Sequence, residues 1–147
     1  MAHYPRWSDL AEREQALVNN GCGPSWLHWK LKDMLNRYLM AWLYHASCGH
    51  HDYGYIIGGG EFRRLYCDYR LTLAMFGDLR ICMRNQEFKD LFIGFFAAII
   101  FSLSVLFFGW LSFHYGPPKS NAEVMGVVKT GEEPGLLSRL RNFRFYS

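Results

Sequence analysis

The sequence has 147 residues, with 16 lysine and arginine residues against 13 aspartate and glutamate residues and a formal net charge of +3. This length provides for one modest domain with accessory segments and excludes two large cores. Acidic and basic residues are interspersed rather than collected in a basic stripe, which excludes a typical nucleic-acid-binding surface and favours weak attraction to anionic lipid.

The N-terminal residues 1–18 predict a short helix. Ser8 suits the N-cap position, and the helix would carry the apolar residues Leu10, Leu17 and Val18. The Asn-Asn-Gly sequence at 19–21 would end the helix. A loop rich in glycine follows it.

Apolar residues recur at spacings of three and four between residues 26 and 43, a period typical of an amphipathic helix. The apolar face of this predicted helix would meet a core or a membrane. Its members are Leu27, Leu31, Met34, Leu35, Tyr38, Leu39 and Trp42.

Two further helical stretches surround a run of three glycines. Residues 41–57 are compatible with a helix, the glycines at 58–60 interrupt it, and apolar residues resume after Glu61. This pattern predicts two antiparallel helices joined by a triple-glycine turn. His51 lies about as far before the turn as Asp68 lies after it, so the pair would bring these two side chains together.

A histidine beside a carboxylate is the usual form of a hydrolytic general base. If Asp68 accepts the proton of one imidazole nitrogen of His51, it fixes the tautomer, and the other nitrogen can take a proton from water. The neighbouring Asp52 would point to another side of the helix. The pair therefore meets the requirement for a hydrolytic general base.

A calcium site would complement this base. The carboxylate of Asp52 is a hard oxygen ligand, and the loop that contains Gly21, Gly23 and Ser25 could offer backbone carbonyls for the remaining positions. Bound Ca²⁺ would polarise an ester carbonyl and stabilise the oxyanion. We therefore expect Ca²⁺ as the cofactor.

The sequence CGHHDYGY around His51, together with the upstream NGCG loop and the downstream CD of LYCDYR, resembles secretory phospholipase A2 enzymes, chiefly their short, divergent branches. The resemblance covers about residues 19–76. It implies that His51 is the base, Asp52 the calcium ligand, Asp68 the partner of His51 and Tyr55 a supporting hydrogen-bond donor.

The same resemblance implies a disulfide bond between Cys22 and Cys48, which requires an oxidising compartment. Gly54 stands where the family commonly has a cysteine. Cys67 is therefore either free or paired with Cys82.

Each piece of the motif also occurs in proteins without this chemistry. A His-Asp dipeptide is usually incidental and is found in metal phosphohydrolases as well. His45 and His50 are interpreted as surface residues, and Tyr53 as an aromatic residue of the core or the surface.

The segment from Leu91 to Phe113 contains no charged residue. As a helix with a rise of about 1.5 Å per residue, it would cross the hydrocarbon core of a bilayer, which is about 30 Å thick. We predict a transmembrane helix over residues 89–115, with a helix buried in a soluble domain as the alternative. Positive charges on its two sides are nearly balanced and assign no topology.

Residues 116–147 are polar and contain several glycines, which predicts an extended tail or one ordered by a partner. The expected order is an N-terminal helix over 1–18, a phospholipase A2-like helical domain over 19–88, the transmembrane helix over 89–115 and this tail. The predicted fold class is all-α, with a phospholipase A2-like antiparallel helix pair and calcium loop. We expect a single-pass integral membrane protein.

Two functions agree with these predictions. The first is calcium-dependent hydrolysis of the sn-2 ester of glycerophospholipids at a phospholipid bilayer. The second is a non-catalytic phospholipase A2-like subunit of a larger membrane assembly, with other membrane subunits as partners. A membrane-damaging toxin or a phage-encoded lipase would share the first chemistry.

Overall fold

The computed structural model describes residues 5–19, 41–83 and 88–131, together with residues 30, 33, 34 and 37. These parts of the chain are mostly helical, and they contain no β-strand. The all-α prediction is therefore confirmed for them. Most of the predicted amphipathic helix at 26–43 and the whole loop at 21–25 lie outside the described residues.

The N-terminal segment contains a 3-10 turn, Trp7–Asp9, and then helix α1, Glu12–Val18. Ser8 lies inside the turn, so its predicted role as N-cap of the helix is wrong. The Gln15 side chain donates hydrogen bonds to carbonyl oxygens of Trp7 and Leu10, at 3.2 and 3.1 Å. These bonds hold the turn against the helix.

The predicted antiparallel pair is formed by helix α2, His45–Ile57, and helix α3, Glu61–Cys82. In the turn between them, Gly58 and Gly59 have φ angles of 80° and 133°. A residue with a Cβ atom would be strained at these angles, and a Cβ on Gly58 would also collide with the backbone carbonyl of His114. The glycines thus permit a sharp turn and a close approach by a later segment.

The apolar segment forms helix α4, Phe88–Phe108, which continues into a 3-10 turn, Gly109–Leu111. The part Leu91–Leu111 is long and apolar enough to cross a membrane, and 22% of its apolar window is buried inside the protein. The helix does not stand apart, because it packs along α3. The buried residues of α3 and α4 in this cluster are Leu71, Met75, Ala97, Ala98 and Phe101, and Tyr44 and Cys48 join the cluster from the chain before α2 and from α2 itself.

The chain after α4 returns to the turn between α2 and α3. Three backbone N–H groups of this return segment donate to backbone carbonyl groups near the turn. The bonds are His114 to Tyr55 at 3.2 Å, Gly116 to Gly59 at 3.3 Å and Lys119 to Ile57 at 2.9 Å. The end of α4 is therefore fixed to the end of α2.

Helix α5, Asn121–Thr130, completes the described part. Glu123 and Ser120 form a capping box, with the Ser120 N–H donating to the Glu123 carboxylate at 2.7 Å. Val124 and Met125 are buried in a cluster with residues of α1, α2 and the N-terminal segment. The prediction of an extended or partner-ordered tail is thus wrong for residues 116–131, and residues 132–147 lie outside the described part.

Candidate hydrolytic site

The site is centred on His51 of α2 and Asp68 of α3. Nε2 of His51 lies 3.0 Å from Oδ1 of Asp68. Both residues are buried, with 8% and 3% of their surface exposed. At this distance the imidazole N–H donates a hydrogen bond to the carboxylate. The structure therefore shows the juxtaposition predicted from the spacing of these residues about the glycine turn.

Tyr55 lies one helical turn after His51. Its hydroxyl donates to the same carboxylate oxygen, Oδ1 of Asp68, at 2.5 Å. The rings of Tyr55 and His51 have centroids 4.0 Å apart, and Phe113 packs edge-on against Tyr55 at 5.2 Å. The structure thus brings Tyr55 to the position of a supporting donor, as the resemblance implies.

The second ring nitrogen of His51 faces Asp52. Nδ1 lies 3.9 Å from Oδ1 of Asp52, which is longer than a direct hydrogen bond. Since Nε2 donates its proton to Asp68, Nδ1 is the nitrogen that can accept one. The proton acceptor and the expected calcium ligand therefore lie on the same side of the ring.

The electrostatic surroundings favour a protonated imidazole. Burial opposes the charge, but the carboxylates of Asp52 and Asp68 outweigh it, so that the pKa of His51 lies above its usual value of 6.5. Burial, followed by the charge of Asp68, raises the pKa of Tyr55 far above 10. The tyrosine therefore remains a proton donor throughout the neutral range.

Arg64 is a site residue that the interpretation of the sequence missed. It lies one turn before Asp68 on α3 and is 5% exposed. Its Nη1 donates to Oδ2 of Asp68 at 2.8 Å, and its Nε donates to the Glu61 carboxylate at 2.9 Å. The spacing of four residues from Arg64 to Asp68 was a signal in the sequence, since such pairs share a helix face.

Arg64 also connects the site to the end of α4. Its Nη1 lies 3.3 Å from the carbonyl oxygen of Val105 and 3.5 Å from that of Leu106. Carbonyls in the last turn of a helix lack partners within the helix, so a side-chain donor satisfies them. The Tyr115 hydroxyl donates to Glu61 at 2.6 Å. Both α4 and the return segment therefore contact the carboxylate network.

The expected calcium ligands are only partly described. Asp52 is present on α2 as an oxygen ligand of the type that Ca²⁺ prefers, but Gly21, Gly23 and Ser25 lie outside the described residues. Within the described ranges, no three His, Cys, Asp or Glu residues are grouped to hold a metal ion. The position of Asp52 beside His51 fits the predicted ion, and the calcium site stays a prediction.

The three cysteines within the described residues occur in two states. Cys48 is disulfide-bonded, whereas Cys67 and Cys82 are free thiols. Cys22, the partner implied for Cys48, lies outside the described residues. The alternative of a bond between Cys67 and Cys82 is therefore wrong. Burial raises the pKa of the Cys67 thiol to about 11, which keeps it protonated.

The neighbouring aromatic residues and histidines hold other segments to α2. His50 is exposed, and its ring lies 4.7 Å from that of Trp7. Tyr53 is buried and donates to Asn121 at 2.5 Å. His45 contacts the Asn19 amide at 2.9 Å. His45 and His50 are exposed and Tyr53 is buried, in agreement with their interpretation as two surface residues and an aromatic residue of the core or the surface.

A cleft of about 490 Å³ opens between α2 and α3. This volume is within the range of small-molecule sites, about 300–1,000 Å³. The wall includes both aliphatic and charged side chains. Among its residues are His50, His51, Arg63, Tyr66, Cys67 and Arg70.

Comparisons with protein-family models, with curated proteins and with solved structures give no match to this chain. The resemblance to secretory phospholipase A2 enzymes therefore depends on the motif residues alone.

Proposed function

We propose that the chain is a bilayer-bound, phospholipase A2-like hydrolase of glycerophospholipids, with His51 as its general base. The observation that carries this proposal is the buried network in which Tyr55 and His51 both donate to Asp68. Burying a carboxylate is costly unless its partners are well placed. The buried carboxylate of Asp68 has a use that explains its retention, because it holds His51 in the tautomer that a general base requires.

In the proposed reaction, Nδ1 of His51 takes a proton from water as the water oxygen attacks the carbonyl carbon of the sn-2 ester. Asp68 accepts the Nε2 hydrogen bond and stabilises the imidazolium that forms. The tetrahedral intermediate then collapses, and the imidazolium returns its proton to the leaving alkoxide of the glycerol. The products are a fatty acid and a lysophospholipid.

Two residues keep Asp68 in place during this cycle. Tyr55 donates to one carboxylate oxygen and Arg64 to the other, at 2.5 and 2.8 Å. With both oxygens held, the carboxylate cannot rotate away from His51. These contacts support a positioning role for Tyr55 and Arg64 rather than a direct role in bond breaking.

Asp52 would hold Ca²⁺ together with backbone carbonyls of Gly21, Gly23 and Ser25. When bound, the ion would polarise the ester carbonyl and stabilise the oxyanion. The 3.9 Å distance between Asp52 and Nδ1 of His51 supports this arrangement, because the ion and the base would then act on one ester group.

Helix α4 would attach the enzyme to lipid. Its length and exposed apolar surface support attachment to a bilayer. Attachment would keep the site at its substrate and remove the binding step that a soluble lipase needs.

A non-catalytic subunit of a larger membrane assembly is the second candidate. The exposed apolar side chains of α4 favour it, because other membrane subunits could cover them as well as lipid. In that case the network around Asp68 would serve only to join α2, α3 and α4.

The test is release of fatty acid by the purified, oxidised full-length chain. Phosphatidylcholine vesicles labelled at the sn-2 chain are incubated with Ca²⁺ or with EGTA, and vesicles labelled at sn-1 establish which bond breaks. We expect calcium-dependent release from sn-2. His51→Gln should lower the rate at least about 100-fold, whereas His45→Gln, a change of an exposed histidine on the same helix, should leave it nearly unchanged.

Asp52→Asn separates the calcium role from the base role. This variant should lose the difference between Ca²⁺ and EGTA. A folded wild type that releases no fatty acid, or a His51→Gln variant as active as wild type, would contradict the enzyme proposal. Stoichiometric copurification with other membrane proteins would then favour the assembly subunit.

A further inference from the structure

Helix α4 lies lengthwise against α3. The Thr72 and Ser102 hydroxyl oxygens are 3.0 Å apart, and the Phe76 and Phe95 ring centroids are 5.8 Å apart. Nearer the start of α3, Arg64 reaches carbonyl groups in the last turn of α4. In this series of contacts the residue numbers rise along α3 and fall along α4. The two helices therefore run antiparallel and side by side.

Four exposed apolar residues form a strip on α3, beside its contact with α4. They recur at spacings of three and four and therefore share one face of the helix. The members of this α3 strip are Phe62, Leu65, Tyr69 and Leu73, with exposed fractions of 90%, 38%, 59% and 50%. Tyr69 precedes Thr72 by three residues and Phe76 by seven, which places the strip next to the residues that contact α4.

The charged residues from Arg63 to Asp78 lie away from this strip, and the exposed Arg80, seven residues after Leu73 on the same face, marks its end. Arg64 and Asp68 are buried and paired with each other at 2.8 Å. Arg63, Arg70 and Asp78 line the cleft on the side of α2. The strip itself consists only of apolar and aromatic side chains, as expected of a surface that meets hydrocarbon.

The exposed face of α4 extends the strip sideways. It presents large apolar side chains that are each at least 44% exposed. These are Phe92, Phe95, Phe96, Ile100, Leu103, Leu106, Phe107 and Phe108. The ring contact between Phe76 and Phe95 joins the two helices at this surface. An apolar surface of this kind marks contact with a membrane or with another protein.

We propose that α3 and α4 lie side by side along the bilayer surface, with the α3 strip and the exposed face of α4 in contact with acyl chains. Lipid is the occupant because the strip is continuous with a helix of bilayer-spanning length and composition. If α4 crossed the bilayer upright, the neighbouring α3 would carry the exposed Arg70 to hydrocarbon depth, which is costly for a charged side chain. If α3 instead lies along the bilayer surface, Arg70 remains in water, on the same side as the cleft.

The experiment measures the depth of single nitroxide labels in the full-length chain, reconstituted in vesicles of phosphatidylcholine and phosphatidylglycerol. Cysteines replace the exposed residues Phe62, Leu73, Leu103 and, as a control on α5, Ala122, in a Cys82→Ser background. Depth is read from the accessibility of each label to oxygen and to a water-soluble nickel complex. We expect Phe62, Leu73 and Leu103 labels at similar depth below the lipid phosphates and the Ala122 label in water.

Three results would overturn the proposal. The first is a difference of about 16 Å between the depths of the Phe62 and Leu73 labels, which an upright α3 would produce because the two residues are eleven positions apart. A Leu73 label in water with a deep Leu103 label would mean that α4 alone meets lipid. Spin–spin broadening at Leu73 that disappears on dilution with unlabelled chain would identify a second copy as the occupant. Because the readout is depth, an inactive His51→Gln chain should give the same result as wild type.

Discussion

Gly54 and Cys67 face each other across the α2–α3 pair at the separation of a disulfide bond. A Cβ atom on Gly54 would lie 3.7 Å from Cβ of Cys67 and 2.8 Å from its Sγ. The mean Cβ–Cβ distance across disulfide bonds is about 3.8 Å. A cysteine at position 54 would therefore meet the free thiol of Cys67 after a small rotation of the Cys67 side chain.

Gly54→Cys should form this bond and stabilise the fold. The loop that it closes is short, and loops of about 15 residues gain about 3 kcal/mol from such a cross-link. Thiol titration of the unfolded, oxidised chain and thermal unfolding with and without reductant are the measurements. Gly54→Cys combined with Cys67→Ser is the matched control, because it has the same new side chain without a partner. An oxidised variant that still has the thiol of Cys67 would show that the helices are not paired in this register.

The helix pair and its dyad could be predicted because the signals are local. The run of glycines at 58–60 ends one helical pattern and precedes the next, and the equal spacing of His51 and Asp68 about the turn gives their contact directly. The role of Arg64 could not be predicted in full. Its spacing to Asp68 is local, but its contacts with carbonyls in the last turn of α4 depend on how α4 packs, which periodicity does not specify.

The region after α4 shows where composition misleads. Residues 116–131 are polar overall, and their few apolar residues do not form a long periodic pattern. Short helices gain most of their stability from tertiary packing. Burial of Val124 and Met125 against α1 and α2 provides that packing, and the sequence alone does not show that these segments meet.

The raised pKa of His51 predicts how stability depends on pH in calcium-free buffer. A group whose pKa is higher in the folded than in the unfolded chain stabilises the fold below the unfolded pKa. This stabilisation is lost as pH rises from about 6.5 through the folded pKa. Unfolding free energy, measured by denaturant titration in EGTA across this window, should fall for wild type. The matched His51→Gln chain should lack this fall, and an equal fall in both chains would contradict the shift.

The role of His51 as a general base predicts the direction of the pH dependence of catalysis. A general base must be neutral before it takes a proton, so kcat/KM should rise as pH increases through the pKa of His51. Asp68→Asn removes one of the carboxylates that raise this pKa. In this variant the inflection of the kcat/KM profile should move to lower pH, and the maximal rate should be lower than in wild type. Calcium-saturated assays over a series of pH values provide the measurement. An activity that declines with rising pH across the same range would exclude His51 as the base.

Arg64 should contribute more to stability than an exposed arginine on the same helix. Arg64→Met leaves Asp68 buried without its charged partner, and breaking such a pair costs about 3–5 kcal/mol. Arg64→Lys should cost less, because an ammonium group can still reach Asp68. Arg70→Met is the matched control on the exposed side of α3, with an expected change within about 0.5 kcal/mol. Equal unfolding free energies for Arg64→Met and Arg70→Met would mean that the buried pair does not support the site.

Val124 tests whether the return segment and α5 belong to the folded domain. Its side chain is fully buried among residues of α1 and α2, whereas Ala122 on the same helix is exposed. Val124→Asp would place a charge in this cluster and should lower the free energy of unfolding by about 3 kcal/mol or more, with faster proteolysis within residues 116–131. Ala122→Asp adds the same charge in water and should change little. Equal stability and equal resistance to proteolysis in the two variants would mean that residues 116–131 form the extended tail that their composition predicts. In that case the return segment would not connect the end of α4 to α2.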